Sequence, residues 1–226
     1  MIELINVSKT YPNGIDVLFN VSLSIGKEEF VFLVGPSGAG KTTLLKMLYR
    51  DEVPSTGKVI VDKINVADLE PSQVPFLRRN MGVVFQDYKL LAKRTVFENV
   101  AFALRVTGAP RSTIRRKVMQ VLELVGMLRR ANAFPEELSG GEKQRACIAR
   151  AIVNNPPILL ADEPTGNLDP TTSWDIIQLL EKINKRNTTV LVATHNKSIV
   201  DDMKRRVVAI ENGRIVRDQL LGGYSQ

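Results

Sequence analysis

Apolar and polar residues alternate at the start of the chain. Ile2, Leu4 and Val7 in "IELINV", and again Val21, Leu23 and Ile25, predict strands with one buried and one wet face. The pattern then changes. "FVFLV" (30–34), "MGVVF" (81–85), "ILLAD" (158–162) and "TVLVAT" (189–194) are continuous apolar runs, which predict parallel strands buried on both faces. Helical spacing separates them, notably over 42–49, 142–153 and 172–185. Strands alternating with crossover helices predict an α/β fold with a central, mainly parallel sheet. Between Asp87 and Pro157 no strand run occurs, while "TVFENVAFALRV" and "STIRRKVMQVLELVGML" carry helical spacing. The expectation is a helical subdomain, 87–157, inserted into a core made of 1–86 and 158–226. No repeat or low-complexity linker divides the chain, so 1–226 reads as one domain.

Composition narrows the picture. With 226 residues, 44% of them hydrophobic and 24% charged, the chain can bury a sizeable core. No apolar stretch approaches the roughly 18 residues of a membrane span, and "MIELINVSKT" lacks the basic start and apolar core of a signal peptide. The expected location is cytoplasmic. A single cysteine, Cys147, excludes an internal disulfide, and without a second cysteine it reads as helix packing rather than a catalytic thiol. The net charge of +7 is scattered over Arg78-Arg79, Lys93-Arg94, Arg111 to Lys117, Arg129-Arg130 and Lys204 to Arg206. These clusters lack interleaved aromatics and read as solvated faces, so no nucleic-acid partner is expected.

The chemistry begins at "GPSGAGKT", Gly35 to Thr42, which fits the G-x-x-x-x-G-K-[ST] phosphate loop. It sits between the apolar run 30–34 and a helix, the context in which glycine backbone and helix dipole can cradle phosphate. Lys41 would reach the terminal phosphates and the Thr42 hydroxyl would ligate Mg2+. The strand end in "ILLADEP" supplies carboxylates: Asp162 for the metal and Glu163 to activate or position water. "LSGGEKQR" opens another helix at Ser139, as a capping box with Glu142 and as a second backbone cradle for an anion. One ATP does not need two cradles from one chain. Two chains meeting head to tail, each lending a cradle to the other's ATP, would use both.

"GPSGAGKTT", "FQDYKLL", "LSGGEKQR", "LLADEPTGNLDP" and "VATHN", in this order, resemble the ATPase subunits of ABC transporters across essentially the whole chain. The resemblance implies a P-loop NTPase, RecA-like core with an N-terminal antiparallel β subdomain and an inserted helical subdomain. It implies ATP and Mg2+ as cofactors, with Gly35, Pro36, Ser37, Gly38, Ala39, Gly40, Lys41, Thr42 and Thr43 around the phosphates. By the same resemblance Gln86 contacts Mg2+ and the lytic water, and Ser139, Gly140 and Gly141 face a partner's γ-phosphate. Asp169 then lies on the dimer loop, and His195, the one histidine, is the switch that senses the γ-phosphate. Tyr11 would stack on adenine; plain packing stays open for it. "FQDYKLL" and "SWDIIQLLEKIN" point within the family to the bacterial cell-division branch. That branch implies an integral membrane subunit as partner, a homodimer on ATP binding, and a peripheral place on the inner face of the membrane. A substrate- or lipoprotein-exporting transporter remains an alternative, and a DNA-associated ABC ATPase a weaker one. Two departures stand out: Glu28 replaces a usual turn glycine, which puts that turn's geometry in doubt, and Lys143 replaces a frequent glutamine.

Overall fold

The structure, a computed structural model, describes residues 1–224. In chain order its elements are β1 (Ile2–Thr10), β2 (Asp16–Ile25), β3 (Phe30–Val34), α1 (Lys41–Leu48), β4 (Thr56–Val61), β5 (Ile64–Asn65), α2 (Val74–Arg79), β6 (Met81–Val84) and α3 (Val96–Val106). There follow α4 (Arg111–Leu124), α5 (Gly140–Ile152), β7 (Ile158–Asp162), α6 (Pro170–Asn184), β8 (Thr189–Thr194), α7 (Lys197–Met203), β9 (Arg206–Glu211) and β10 (Arg214–Gln219). The chain forms two compact units, Met1–Arg78 with Thr189–Gln226, and Arg79–Thr188.

In the first unit β2, β1, β4 and β5 form an antiparallel sheet in that order. Ile2 and Leu4 of β1 are buried as the alternation predicts, and Val7 is buried one residue out of that period. The step from Leu4 to Val7 is three residues rather than two because the register slips there, with Asn6 in the left-handed region at φ 49. A second layer runs β10-β9-β3-β8, in which β3 pairs parallel with both β8 and β9. Every residue of β3 is buried, hence its unbroken apolar run. β9 and β10 make a two-residue hairpin at Asn212 (φ 47) and Gly213 (φ 73), the signs of a type I′ turn. Phe19 of β2 donates to the Gly213 carbonyl at 2.8 Å and fastens that turn to the antiparallel sheet.

In the second unit β6 lies parallel to β7. Gly82 of β6 lets helix α5 come so close that a Cβ there would sit 2.6 Å from the Ala151 carbonyl oxygen. A capping box of Thr95 and Glu98 starts α3. One turn in, the buried Asn99 side chain holds the preceding loop: its Oδ1 accepts from Leu91 N–H at 2.7 Å, and its amide donates to the carbonyls of Leu91, Arg94 and Thr95 at 3.2, 3.0 and 3.0 Å.

Glu28 resolves the doubt about its turn. It takes the left-handed conformation, φ 65, that glycine adopts without penalty, and its N–H donates to Thr189 Oγ1 at 2.9 Å. A residue with a Cβ holds that conformation at a cost of about 1 kcal/mol. Glu28→Gly should raise the thermal midpoint by roughly 2–4 °C with turnover unchanged, as read by scanning calorimetry; a lower midpoint would show that the glutamate side chain contributes more than its backbone costs.

Candidate active site

At the end of β3 the backbone of Gly35 (φ 151) lies against β9, where a Cβ would sit 2.1 Å from the Ile210 carbonyl oxygen. No larger residue fits. Gly40 (φ 104) is the N-cap of α1 and offers no side-chain acceptor, and the N-terminus of a helix favours an anion through its dipole and its N–H direction. Lys41, only 6% exposed, folds back and donates from Nζ to the carbonyls of Gly35 at 2.8 Å and Pro36 at 3.1 Å. Ala39 N–H donates to Pro36 at 3.2 Å, which completes a tight curl of the kind that binds phosphate. Pro36, Ser37, Gly38 and Thr42 are exposed on the curl, and Thr43 is buried behind it.

Strand register decides what else stands at this edge. Val34 of β3 pairs with Thr194 of β8, so His195 emerges level with Gly35, about 5 Å away across the sheet. Its imidazole is exposed. Asn196 fixes the position by donating its N–H to Thr194 Oγ1 at 3.1 Å and capping α7 through Ile199 N–H at 3.4 Å. Tyr11 follows β1 and shares a hydrogen bond of 3.3 Å between its Oη and Thr43 Oγ1, which sets its ring beside the first turn of α1. Phosphate loop, histidine and tyrosine thus gather in the first unit.

The second unit gathers the rest. Val84 of β6 pairs with Ala161 of β7, so Phe85 stands level with Asp162, and Gln86 with Glu163, at adjacent strand ends. Glu163 is 9% exposed and left-handed, φ 46, which costs about 1–2 kcal/mol for a residue with a Cβ. The turn it makes closes with Gly166 N–H donating to its carbonyl at 3.1 Å. A Cβ on Gly166 would lie 3.8 Å from Gln86 Nε2 and 3.7 Å from Glu163 Cβ, so the Gln86 amide and the root of the Glu163 side chain flank the same glycine.

Helix α5 begins with the expected box: Glu142 N–H donates to Ser139 Oγ at 3.3 Å, and Ser139 N–H donates to Glu142 Oε2 at 2.9 Å. The Ser139 N–H, and after it Arg130, hold the Glu142 carboxyl below the usual carboxylate range. Capping and anion binding do not compete here, because Gly140 and Gly141 at the first two helical positions still lack intrahelical acceptors. Both glycines permit close packing. A Cβ on Gly141 would meet Thr172 Cγ2 at 2.5 Å, and one on Gly140 would meet Leu168 Cδ2 at 3.1 Å and Tyr88 Oη at 3.4 Å. Asp169 caps α6 through Thr172 N–H at 3.0 Å, and that residue's side chain and N–H lower its pKa.

A clamp behind Gln86 carries no sequence motif. Tyr88 (φ 60) and Lys89 (φ 47) turn the chain in the left-handed region, and Arg150 of α5 donates to both carbonyls, at 2.9 and 2.5 Å. Cys147 donates from Sγ to the Tyr88 carbonyl at 3.0 Å, and burial pushes its thiol up to about 12, so it remains a donor. Its packing role stands, with a hydrogen bond added. The one sequence signal was the three-residue spacing of Cys147 and Arg150, which puts both on one face of α5.

Known proteins resemble this arrangement throughout. The family model for the ABC transporter matches residues 18–166. The cell division ATP-binding protein FtsE of Bacillus subtilis (strain 168) is 56% identical over 224 residues, covering 99% of this chain and 98% of that one. FtsE of Mycobacterium tuberculosis is 53% identical over 99% of this chain and 98% of its own, and FtsE of Escherichia coli K12 is 46% identical over 95% and 97%. Among solved structures, a dimeric post-hydrolysis ATP-binding cassette bound to ADP and Pi matches with a TM-score of 0.90 at 38% identity, covering 99% of this chain and 100% of that chain. With an anion curl closed by Lys41, a strand-end carboxylate at Glu163 and these relatives along its whole length, the chain belongs to the ABC transporter ATPases, in the FtsE family of cell division ATP-binding proteins.

Proposed function

We propose that this chain is the ATP-hydrolysing subunit of an FtsEX-type complex, in which it pairs with a second copy on ATP binding and acts on an FtsX-like integral membrane subunit at the cytoplasmic face of the membrane. One observation carries the reading: a single chain holds two helix N-termini built like anion cradles, one at the start of α1, where Lys41 folds back over its own loop, and one at the start of α5, opened by Gly140 and Gly141. The first holds the ATP of its own subunit. The second, with Ser139, Gly140 and Gly141, closes over the γ-phosphate of the partner's ATP.

In this mechanism Lys41 exchanges its loop carbonyls for the β- and γ-phosphate oxygens, and Tyr11 stacks on the adenine. Thr42, Asp162 and Gln86 offer a hydroxyl, a carboxylate and an amide oxygen, a hard-oxygen donor set that suits Mg2+ completed by water and phosphate. Thr42, Asp162 and Gln86 would hold that ion, which supplies positive charge to the phosphate oxygens. Gln86 orients the water, and a Glu163 carboxylate oxygen takes its proton as the water oxygen attacks the γ-phosphorus and the bond to ADP breaks. His195 donates to the γ-phosphate and registers its departure, and Asp169 lies where two copies meet.

Membrane coupling rests on the second unit. Leu90 is half-buried and Leu91 is 38% exposed, its backbone held to α3 by Asn99. Phe102 and Val106, one turn apart on α3, are 48% and 55% exposed. Tyr88, Leu90 and Leu91 together with this face form the groove for a cytoplasmic segment of the membrane partner, whose motion is coupled to peptidoglycan hydrolysis outside. Among the described residues no helix is long and apolar enough to cross a membrane.

Lys41→Ala should abolish ATP binding, read by calorimetry, while the fold survives. Glu163→Gln differs in kind: ATP binds and persists, turnover falls by roughly a hundredfold or more, and sizing chromatography shows an ATP-dependent dimer. Wild-type turnover in that variant would remove the base assignment. Ser139→Arg should keep nucleotide binding by the monomer but lose dimer and turnover; loss of monomer binding would mean that the second cradle does not act on a partner. Changing Leu90 and Leu91 together to Gln should leave ATP binding intact and abolish co-purification with an FtsX-like protein. Retrieval of a substrate-exporting permease by the unaltered chain would favour the transport alternative.

A further inference from the structure

Lys9, near the end of β1, is 6% exposed, a rare state for a lysine. Its ammonium is held by Glu52 Oε2 at 2.7 Å and by the Val53 carbonyl at 2.9 Å, and it stands 4.9 Å from the centroid of the Tyr11 ring. Glu52 is itself tied to α1: its N–H and that of Asp51 donate to the Lys46 carbonyl in the last turn, at 3.3 and 2.9 Å. Tyr11 reaches the first turn of the same helix through Thr43. The tyrosine is therefore braced to both ends of the helix whose N-terminus carries the phosphate loop.

We infer that Lys9 is a positioning residue for the nucleotide base, acting through Tyr11; the inference rests on the proposed role of Tyr11 as the adenine platform. The ammonium covers one ring face, so a base can use only the opposite one. It also draws π density toward itself, leaving the opposite face less negative and a better partner for an electron-rich purine. The brace holds the platform at a fixed offset from the phosphate loop, so one nucleotide engages both without paying to order the ring.

The test compares Mg-ADP with magnesium tripolyphosphate, which has no base, by calorimetry on the full chain. Tyr11→Ala weakens Mg-ADP by about tenfold, the usual order for losing a stacking platform. Lys9→Met weakens it by about fivefold, Lys9→Arg stays within about twofold because a guanidinium also stacks on a ring, and no variant changes tripolyphosphate. Added to Tyr11→Ala, Lys9→Met has no further effect. Equal weakening of both ligands, or the same loss with and without Tyr11, would overturn the inference in favour of a purely structural lysine. A weakened Tyr11→Ala beside an unaffected Lys9→Met overturns it while leaving the platform in place, whereas an unaffected Tyr11→Ala removes the platform itself. If Lys9→Met does not fold, Glu52→Gln, whose side chain is 25% exposed, loosens the same ammonium and should show a smaller, equally base-selective loss; no loss in that folded variant overturns the inference.

Discussion

The nucleotide side of this molecule depends on one close approach, the backbone of Gly35 against the Ile210 carbonyl. It is possible because β3 runs parallel to β9 in a register that brings Val34 beside Ala209. The same strand pairs on its other side with β8, and that register sets His195 level with the loop. The buried β3 thus aligns the loop at Gly35 and a histidine at adjacent strand ends. Lys41 then closes the curl on its own carbonyls, which keeps a buried ammonium solvated by protein.

In the second unit, backbone strain is held by hydrogen bonds from neighbouring residues. Glu163, Tyr88 and Lys89 all occupy the left-handed region, and each lies in a turn fixed by such bonds. Arg150 and Cys147 secure Tyr88 and Lys89, while Gly166 closes the turn at Glu163. The Asn99 side chain does similar work for the loop after them: burying it unbonded would cost several kcal/mol, yet all its bonds are made. The Tyr88–Lys89 turn that follows Gln86 is tied by Cys147 and Arg150 to α5, the helix capped by Ser139.

Legibility followed periodicity. β1, β2, β3, β6, β7 and β8 were visible because each is either cleanly alternating or uniformly apolar, and α1, α5 and α6 lie within two residues of their expected bounds. β4 and β5 were not visible. Only two of the six residues in "TGKVIV" are buried, and the hairpin turn uses Asp62 and Lys63 with φ of 47 and 70 where Asn-Gly would have marked it. The β9–β10 hairpin does carry Asn212-Gly213, but its second strand has no buried residue to give it a period. Charge misled at one point. Arg206, part of a cluster that read as solvated, is bound by Asp218 and Glu29 at 2.7 and 2.6 Å.

By itself the sequence determined the α/β class, the phosphate loop, the carboxylates at 162 and 163, the capped helix at Ser139 and the family they belong to. These are local features, set by contiguous residues whose spacing is the signal. Tertiary structure alone decided that Glu28 would take a glycine conformation, that Asn99 and Arg150 would hold loops rather than face water, and that Lys9 would lie over Tyr11. Glu28, Arg150 and Lys9 depend on partners distant in the chain, Thr189, Tyr88 and Glu52, and Asn99 on a loop four to eight residues away whose path carries no period; a side chain's burial and bonding are properties of the neighbours that folding brings to it.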